Sequence, residues 1–242
     1  MLVKNSEIKW NQTYDTIVLG FGGAGATAAR FGADAGASVL LVDAAPNGHE
    51  GGNTRYSAQL IGTVDSFEEG KKYYKRLTYP MALDDDMVDT FVHGMANMRD
   101  YVKTYLGVEP VSVKNDFTPE DTPISLDSAV HEFPEYEGQE AYDFTTVHHG
   151  LFDAALWRNL RQQVIDRTDK ITVWFSSPAK HLIQDPDTNI VTGVQIERDG
   201  HQYNIQAKNG VVLAMGGFEN NQQDVQDYLG ADHLAPLGTL YN

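Results

Sequence analysis

The sequence contains no cysteine. That excludes disulfides, thiolate nucleophiles and cysteine-ligated metals or clusters. It also excludes a redox-active dithiol, so oxidation–reduction chemistry in this chain requires a bound cofactor. Positive charge is scarce: 18 Lys and Arg stand against 34 Asp and Glu, for a net charge of −16. Such a surface repels nucleic acid and anionic membranes. It leaves room for an anionic ligand, because a local cluster of amides with an Arg outweighs a distant field. No apolar run reaches membrane-spanning length, and Met1 to Trp10 lack the apolar core of a signal peptide. The expectation is a cytoplasmic protein that neither inserts into membranes nor binds nucleic acid. No metal site is expected either. His148 and His149 are adjacent, sequence neighbours rarely converge on one ion, and no carboxylate is spaced to assist. Internal repeats and low-complexity tracts are lacking. What remains, 242 residues of which 41% are hydrophobic and 21% charged, suits a globular chain of one or two domains.

The stretch from Tyr14 to Asp43 organises the rest. Ile17, Val18 and Leu19 form an apolar run suited to a buried parallel strand. The turn Gly20-Phe21-Gly22-Gly23-Ala24-Gly25 follows, then a small-residue helix, then a second apolar strand ending at Asp43. Each glycine has a physical task. Gly20 permits the tight turn, Gly22 lets a pyrophosphate approach the backbone, and Gly25 lets the helix lie against the strand. The amides at the helix start, with the positive end of its dipole, receive phosphate. Ala28, Phe31 and Ala35 recur at helical spacing and are expected to face the sheet. A carboxylate at Asp43 can accept hydrogen bonds from the hydroxyls of an adenosine ribose. The stretch therefore predicts an adenine dinucleotide. Asp43 tells against NADP, whose 2′-phosphate it would repel, and does not separate NAD from FAD.

Residues 1–13 are a polar arm. Residues 44–54 are a loop at the carboxyl end of the second strand, where ligands bind in open α/β sheets. In it Gly51 and Gly52 allow close backbone approach, and Asn53 and Thr54 supply donors and acceptors. Phe67–Leu77 reads as a short helix with a solvated basic end. A longer helix is expected over residues 84–106, capped by Asp84 or Asp85, with Met87, Phe91, Met95, Met98 and Val102 as its core stripe. Residues 107–147 show no sustained period and are assigned to short strands, a lid or a pocket wall, with Phe133 to Tyr136 as a candidate pocket edge. A third helix over residues 151–167 buries Phe152, Leu156, Leu160 and Val164. A strand at Ile171 to Phe175 precedes an antiparallel meander of residues 179–184, 190–198 and 202–207, whose second turn is Asp199-Gly200. A separate buried strand, Gly210 to Phe218, and a polar helix over residues 219–229 complete the pattern.

This order of motifs resembles the FAD-binding domain of the fumarate reductase and succinate dehydrogenase flavoprotein superfamily, which includes 3-ketosteroid dehydrogenases. The resemblance rests on Gly20 to Gly25, Asp43, Gly51-Gly52-Asn53-Thr54, and the run from Val211 to Glu219. Gly51 to Arg55 and the closing run Gly238 to Asn242 look most like the tricarballylate dehydrogenase branch. The resemblance implies an α/β fold of Rossmann type, with a parallel sheet, flanking helices and an antiparallel β-meander. It implies one FAD-binding domain over residues 14–242. It implies that Gly20, Gly22, Gly23, Ala24 and Gly25 hold the FAD pyrophosphate, and that Asp43 with Ala44 holds the adenosine ribose. Gly51, Gly52, Asn53 and Thr54 would line the phosphate and flavin ring. Ala179 would present backbone to adenine, and Ala214, Gly216 and Gly217 would pass along the adenosine–pyrophosphate side. Arg55 is the arginine that the motif places near the flavin, as a substrate contact.

Two departures accompany the resemblance. Fumarate reductases carry a Gly-Gly pair where this sequence has Gln59 and Leu60, which tells against fumarate itself. The family also continues into a capping domain and a final flavin-contacting segment, so this sequence is expected to be an N-terminal portion that holds no catalytic acid or base. The implied activity is hydride transfer between flavin N5 and a small, carboxylate-bearing substrate. A steroid dehydrogenase, a non-catalytic flavin module serving a partner chain and an NAD-dependent dehydrogenase are the alternatives. Apolar surface left over the flavin site implies self-association or association with the C-terminal part; the electron partner is not specified.

Overall fold

The computed structural model describes residues 1, 2, 4, 7–121, 133–230 and 241. Most of the run Gly238 to Asn242 and part of the segment 107–147 therefore lie outside the described residues. In chain order the strands are β1 (Gln12–Leu19), β2 (Val39–Val42), β3 (Ile61–Val64), β4 (Val111–Ser112), β5 (Tyr142–Thr146), β6 (Ile171–Trp174), β7 (Ala179–Gln184), β8 (Val191–Arg198) and β9 (His201–Leu213). The helices are α1 (Gly23–Asp34), α2 (Gly52–Tyr56), α3 (Phe67–Leu77), α4 (Asp85–Tyr101), α5 (Val113–Asp116), α6 (Ala155–Ile165) and α7 (Gln222–Leu229). They fall into two compact units, Met1–Tyr56 with Trp157–Asn242, and Ser57–Leu156.

The first unit is built on a six-stranded sheet in the order β6-β2-β1-β9-β8-β7. β6, β2, β1 and β9 run parallel, and β9, β8 and β7 are antiparallel. Ile17 and Leu40 are fully buried, and Leu19 and Val42 nearly so. Each such side chain contributes about 1.5–3 kcal/mol by leaving water. The parallel strands end in register: Leu19 faces both Val42 and Leu213, and Val42 faces Trp174. Their carboxyl ends thus form one edge, at the point where the chain leaves β1 for β2 on one side and arrives by β9 on the other. That crevice is where open α/β sheets bind ligands.

In this unit the structure departs from three sequence expectations. The buried face of α1 is Ala26, Ala29 and Ala33, not Ala28, Phe31 and Ala35. The close contact of Gly25 with Gly20 fixes the helix rotation, and Ala35 is already the cap. The meander's last strand and the following strand are one, β9, because no turn interrupts Lys208-Asn209-Gly210. β9 pairs antiparallel with β8 through Gln206 and parallel with β1 from Ile205 to Leu213. Residues 214–218 are not strand. In α6, Trp157, Leu160 and Val164 are buried, whereas Phe152 precedes the helix and is exposed.

The second unit holds a three-stranded antiparallel sheet, β3-β5-β4, with α3 and α4 packed on Val64. β3 and the short strands within residues 107–147 carry too few residues for a legible period. α3 matches its expected bounds, and Ser66 caps it. Asp84 caps α4 by accepting from Asp86 N. The α4 stripe is corrected: Val88, Val92 and Met95 are buried, while Met87 and Phe91 are exposed. The helix ends in a π-turn, Val102–Leu106, rather than continuing as α-helix. Phe133 and Tyr136 stack on each other, and Arg76 lies over Tyr136.

Candidate functional site

The glycine turn after β1 divides into positions that the fold requires and one that it does not. Gly20 has φ +99°, and a Cβ there would stand 2.3 Å from Ala214 O. A Cβ on Gly25 would stand 1.8 Å from Gly20 O. Both are steric necessities of packing α1 against β1 and β9. Gly22 differs. Its φ is −93°, and the nearest atom to an added Cβ is Gly51 O at 3.5 Å, an ordinary contact. The fold itself would accept a side chain at Gly22, so the empty face there is space for something else. α1 begins at this point with no side-chain cap and no acid in its first turn. The amides of its first turn and its dipole favour an anion. Gly23 N donates to Thr54 Oγ1 at 3.1 Å, and Phe21, buried, meets Trp157 edge-on at 5.2 Å.

Asp43 ends β2 beside this turn. Its Oδ2 accepts from Phe21 N at 2.6 Å and its Oδ1 from Ala45 N at 2.7 Å. The carboxylate thus organises the turn as well as facing the pocket, a task the sequence did not reveal. Each oxygen retains a further lone pair for a hydroxyl donor. Burial, helped by the nearby Glu50 charge, raises the Asp43 carboxyl above its ordinary value against those two backbone bonds.

The loop after β2 is tied down by Glu50, and Gly52, Asn53 and Thr54 form the first turn of α2 rather than loop. Gly51 takes φ +122°, with Arg55 Cβ and the Trp157 ring where its Cβ would be. The Arg55 guanidinium donates to the carbonyls of Gly48 and Glu50. On the opposite wall Asn53 Nδ2 donates to Glu219 Oε1 at 3.1 Å, bridging α2 to the stretch after β9.

A pocket of about 530 Å³ lies along this edge. Gly20, Gly22, Gly23, Ala24, Asp43, Ala44, Gly52, Asn53, Thr54, Ala179, Ala214, Gly216 and Gly217 all line it. Gly25, Gly51 and Arg55 do not. Residues that sequence reasoning missed also line it, among them Ser177, Pro178, Leu213 and Met215. Ser177 is buried, and its backbone N donates to Asp43 O at 2.9 Å. The Ser-Pro step before the meander was the available signal. Leu213 and Met215 are exposed apolar residues at the end of β9. An open glycine face, a helix start with no acid in its first turn, a carboxylate and a cavity along one sheet edge fit a dinucleotide.

Fold and site define a dinucleotide-binding domain of doubly wound type. More particularly, the chain belongs to the FAD binding domain family, which it matches over residues 15–237. FAD is the cofactor of that domain, which decides the choice that Asp43 left open. The chain is 45% identical over 60 residues to a 3-oxosteroid 1-dehydrogenase of Comamonas testosteroni, covering 25% of this chain and 10% of that protein. It is 25% identical over 260 residues to an NADH:acrylate oxidoreductase of Vibrio harveyi, covering 90% of this chain and 26% of that protein. Its fold matches the open conformation of a flavocytochrome c3 fumarate reductase with a TM-score of 0.72 at 21% identity, covering 96% of this chain and 39% of that one. The chain thus spans a minor part of each. Among the described residues no helix is long and apolar enough to cross a membrane.

Proposed function

We propose that this chain is the FAD-binding part of an oxidoreductase that exchanges a hydride with a small, carboxylate-bearing substrate. FAD supplies the redox chemistry when bound, at its N5. The protein's share is binding, orientation and electrostatics. Gly20, Gly22, Gly23, Ala24 and the fold-required Gly25 hold the pyrophosphate at the start of α1. Asp43 accepts ribose hydroxyls next to Ala44. Ala179 offers backbone to adenine, and Ala214, Gly216 and Gly217 pass along the adenosine–pyrophosphate side. Gly52, Asn53 and Thr54, positioned by Gly51, line the remainder. The observation that carries this reading is Gly22, a glycine that no neighbouring atom demands, opening onto the pocket.

A carboxylate substrate is favoured by the extent of the likeness to the acrylate oxidoreductase, which runs along 90% of the chain. The steroid reading has the higher identity but over only 25% of the chain. The Arg55 Nη1 serves the Gly48 and Glu50 carbonyls, so the substrate contact we propose for Arg55 is made from a side chain anchored to this loop.

The first test is the visible spectrum of the purified chain before and after incubation with FAD and gel filtration. Retained flavin is expected; a colourless protein that instead binds NAD in titration refutes the cofactor. For the substrate, the holoprotein's reduced flavin is mixed with acrylate or with a 1,4-diene-3-ketosteroid, each of which carries the C=C bond that accepts the hydride. Reoxidation by steroid alone refutes the carboxylate assignment.

A further inference from the structure

An ion pair between a buried Glu50 and a partly exposed Arg161 lies just behind the cofactor pocket without lining it. Glu50 is 1% exposed. Its Oε1 accepts from Arg161 Nε at 2.6 Å, and its Oε2 accepts from Gly48 N at 2.6 Å. Arg161 comes from α6, 111 residues further along the chain. A carboxylate removed from water in this way is tolerable only while paired and hydrogen-bonded.

The pair holds more than itself. The backbone on either side of Glu50 is gripped by Arg55 through the Gly48 and Glu50 carbonyls. The next residue, Gly51, is fixed at φ +122° against Trp157, whose ring would stand 2.8 Å from a Cβ there. Gly51 O is the backbone atom nearest the open face of Gly22. The residues that follow it, from Gly52 to Thr54, are pocket wall. Trp157, one helical turn before Arg161, packs against Phe21 in the glycine turn. One face of α6 therefore touches both walls, Trp157 on the glycine turn and Arg161 on the loop opposite. The Glu50 charge is also felt at Asp43, beside the position assigned to the ribose.

We propose that Arg161 and Glu50 are positioning residues for the cofactor: the pair sets the distance between the Gly51 loop and the glycine turn, and so the fit of FAD. The proposal rests on the FAD reading above.

The test is titration of FAD into the cofactor-free chain by quenching of flavin fluorescence, with thermal melts in the presence and absence of FAD. Arg161→Met is expected to weaken FAD by about tenfold or more and to shrink the FAD-induced rise in Tm. Adding Glu50→Gln to that variant is expected to restore part of the affinity, because no buried charge is then left unpaired. A merely structural pair would lower Tm equally with and without FAD and leave Kd unchanged, and that result overturns the proposal. Should Arg161→Met not fold, Arg161→Lys and the double variant decide. Weaker FAD binding in both supports the proposal, and wild-type affinity in both overturns it. A wild-type chain that takes up no FAD overturns the FAD reading, and the proposal with it.

Discussion

Gly22→Ala separates what the fold needs from what the cofactor needs. At φ −93° an alanine is unstrained, and its methyl would meet only Gly51 O, at 3.5 Å. Two opposing effects on the cofactor-free chain remain. Alanine is a poorer helix N-cap than glycine by roughly 0.5–1 kcal/mol. It also restricts the unfolded chain, which returns about 0.4–1 kcal/mol. The net change in stability is therefore about zero, within ~0.5 kcal/mol. FAD binding should respond quite differently. A methyl on the open face displaces the diphosphate from the amides it would contact. Losing one charge-assisted bond costs about 1.5–3 kcal/mol, or roughly 10- to 150-fold in Kd. Gly25→Ala is the control with the opposite signature. Its Cβ would lie 1.8 Å from Gly20 O, so α1 must move, at a cost of roughly 1–3 kcal/mol or more before any ligand is added. Urea melts of the cofactor-free proteins give stability, and quenching of flavin fluorescence gives Kd. If Gly22→Ala loses stability as Gly25→Ala does, or binds FAD as the wild type does, the division of tasks within the turn is wrong.

Two further outcomes are expected from ion pairs outside the pocket. Arg167 and Arg30 hold the Asp34 carboxyl below its ordinary value, despite opposing partial burial. A depressed carboxyl contributes stability that is present above its ordinary value and is lost as pH falls from there through its lowered folded-state value. Asp34→Asn should therefore lower Tm at pH 7 with a deficit that closes towards acid, and a deficit independent of pH between 3 and 7 would contradict this. In the second unit, the fully buried Asp143 accepts from Ser112 Oγ at 2.6 Å and Lys114 N at 2.9 Å, and pairs with Arg99. Arg99→Met leaves that carboxylate without its cation and should cost about 2–3 kcal/mol in urea melts, at the low side because Arg99 is 31% exposed; a loss below ~1 kcal/mol would show that the hydroxyl and amide suffice.

The parts of the molecule legible in its sequence are those fixed by covalent geometry over short separations. Gly20 and Gly25 are glycines because backbone atoms occupy the places of their Cβ atoms, and a pattern of three glycines between a strand and a helix records that directly. Asp43 is legible for the same reason, since the helix between the two strands has a narrow range of lengths. Helix phase was less legible. α4 offers two interleaved sets at helical spacing, Met87 with Phe91 and Val88 with Val92. The second is buried because it faces Val64, whose place is set by a pairing of β3 with β5 across about eighty residues. In α1 the alanines allow several faces, and the contact of Gly25 with Gly20 selects one. The continuity of β9 was hidden by Lys208-Asn209-Gly210, a bulge that shifts the register against β1 between Tyr14 and Thr16 before the parallel ladder resumes at Gly210.

The pocket's floor was readable in the sequence and its supports were not. The floor is one contiguous motif. The supports join Glu50 to Arg161, Asn53 to Glu219 and Phe21 to Trp157, pairs separated by more than a hundred residues. None has a local spacing that a sequence pattern can register. A glycine turn supplies a place where a diphosphate can approach, but the opposite wall must stand at the right distance, and a short loop after β2 cannot hold itself there. α6 supplies that constraint, delivering Trp157 and Arg161 one helical turn apart to the two sides of the cleft. On this argument a chain that kept the βαβ motif but lost the register of α6 would retain the nucleotide fingerprint while binding its cofactor poorly.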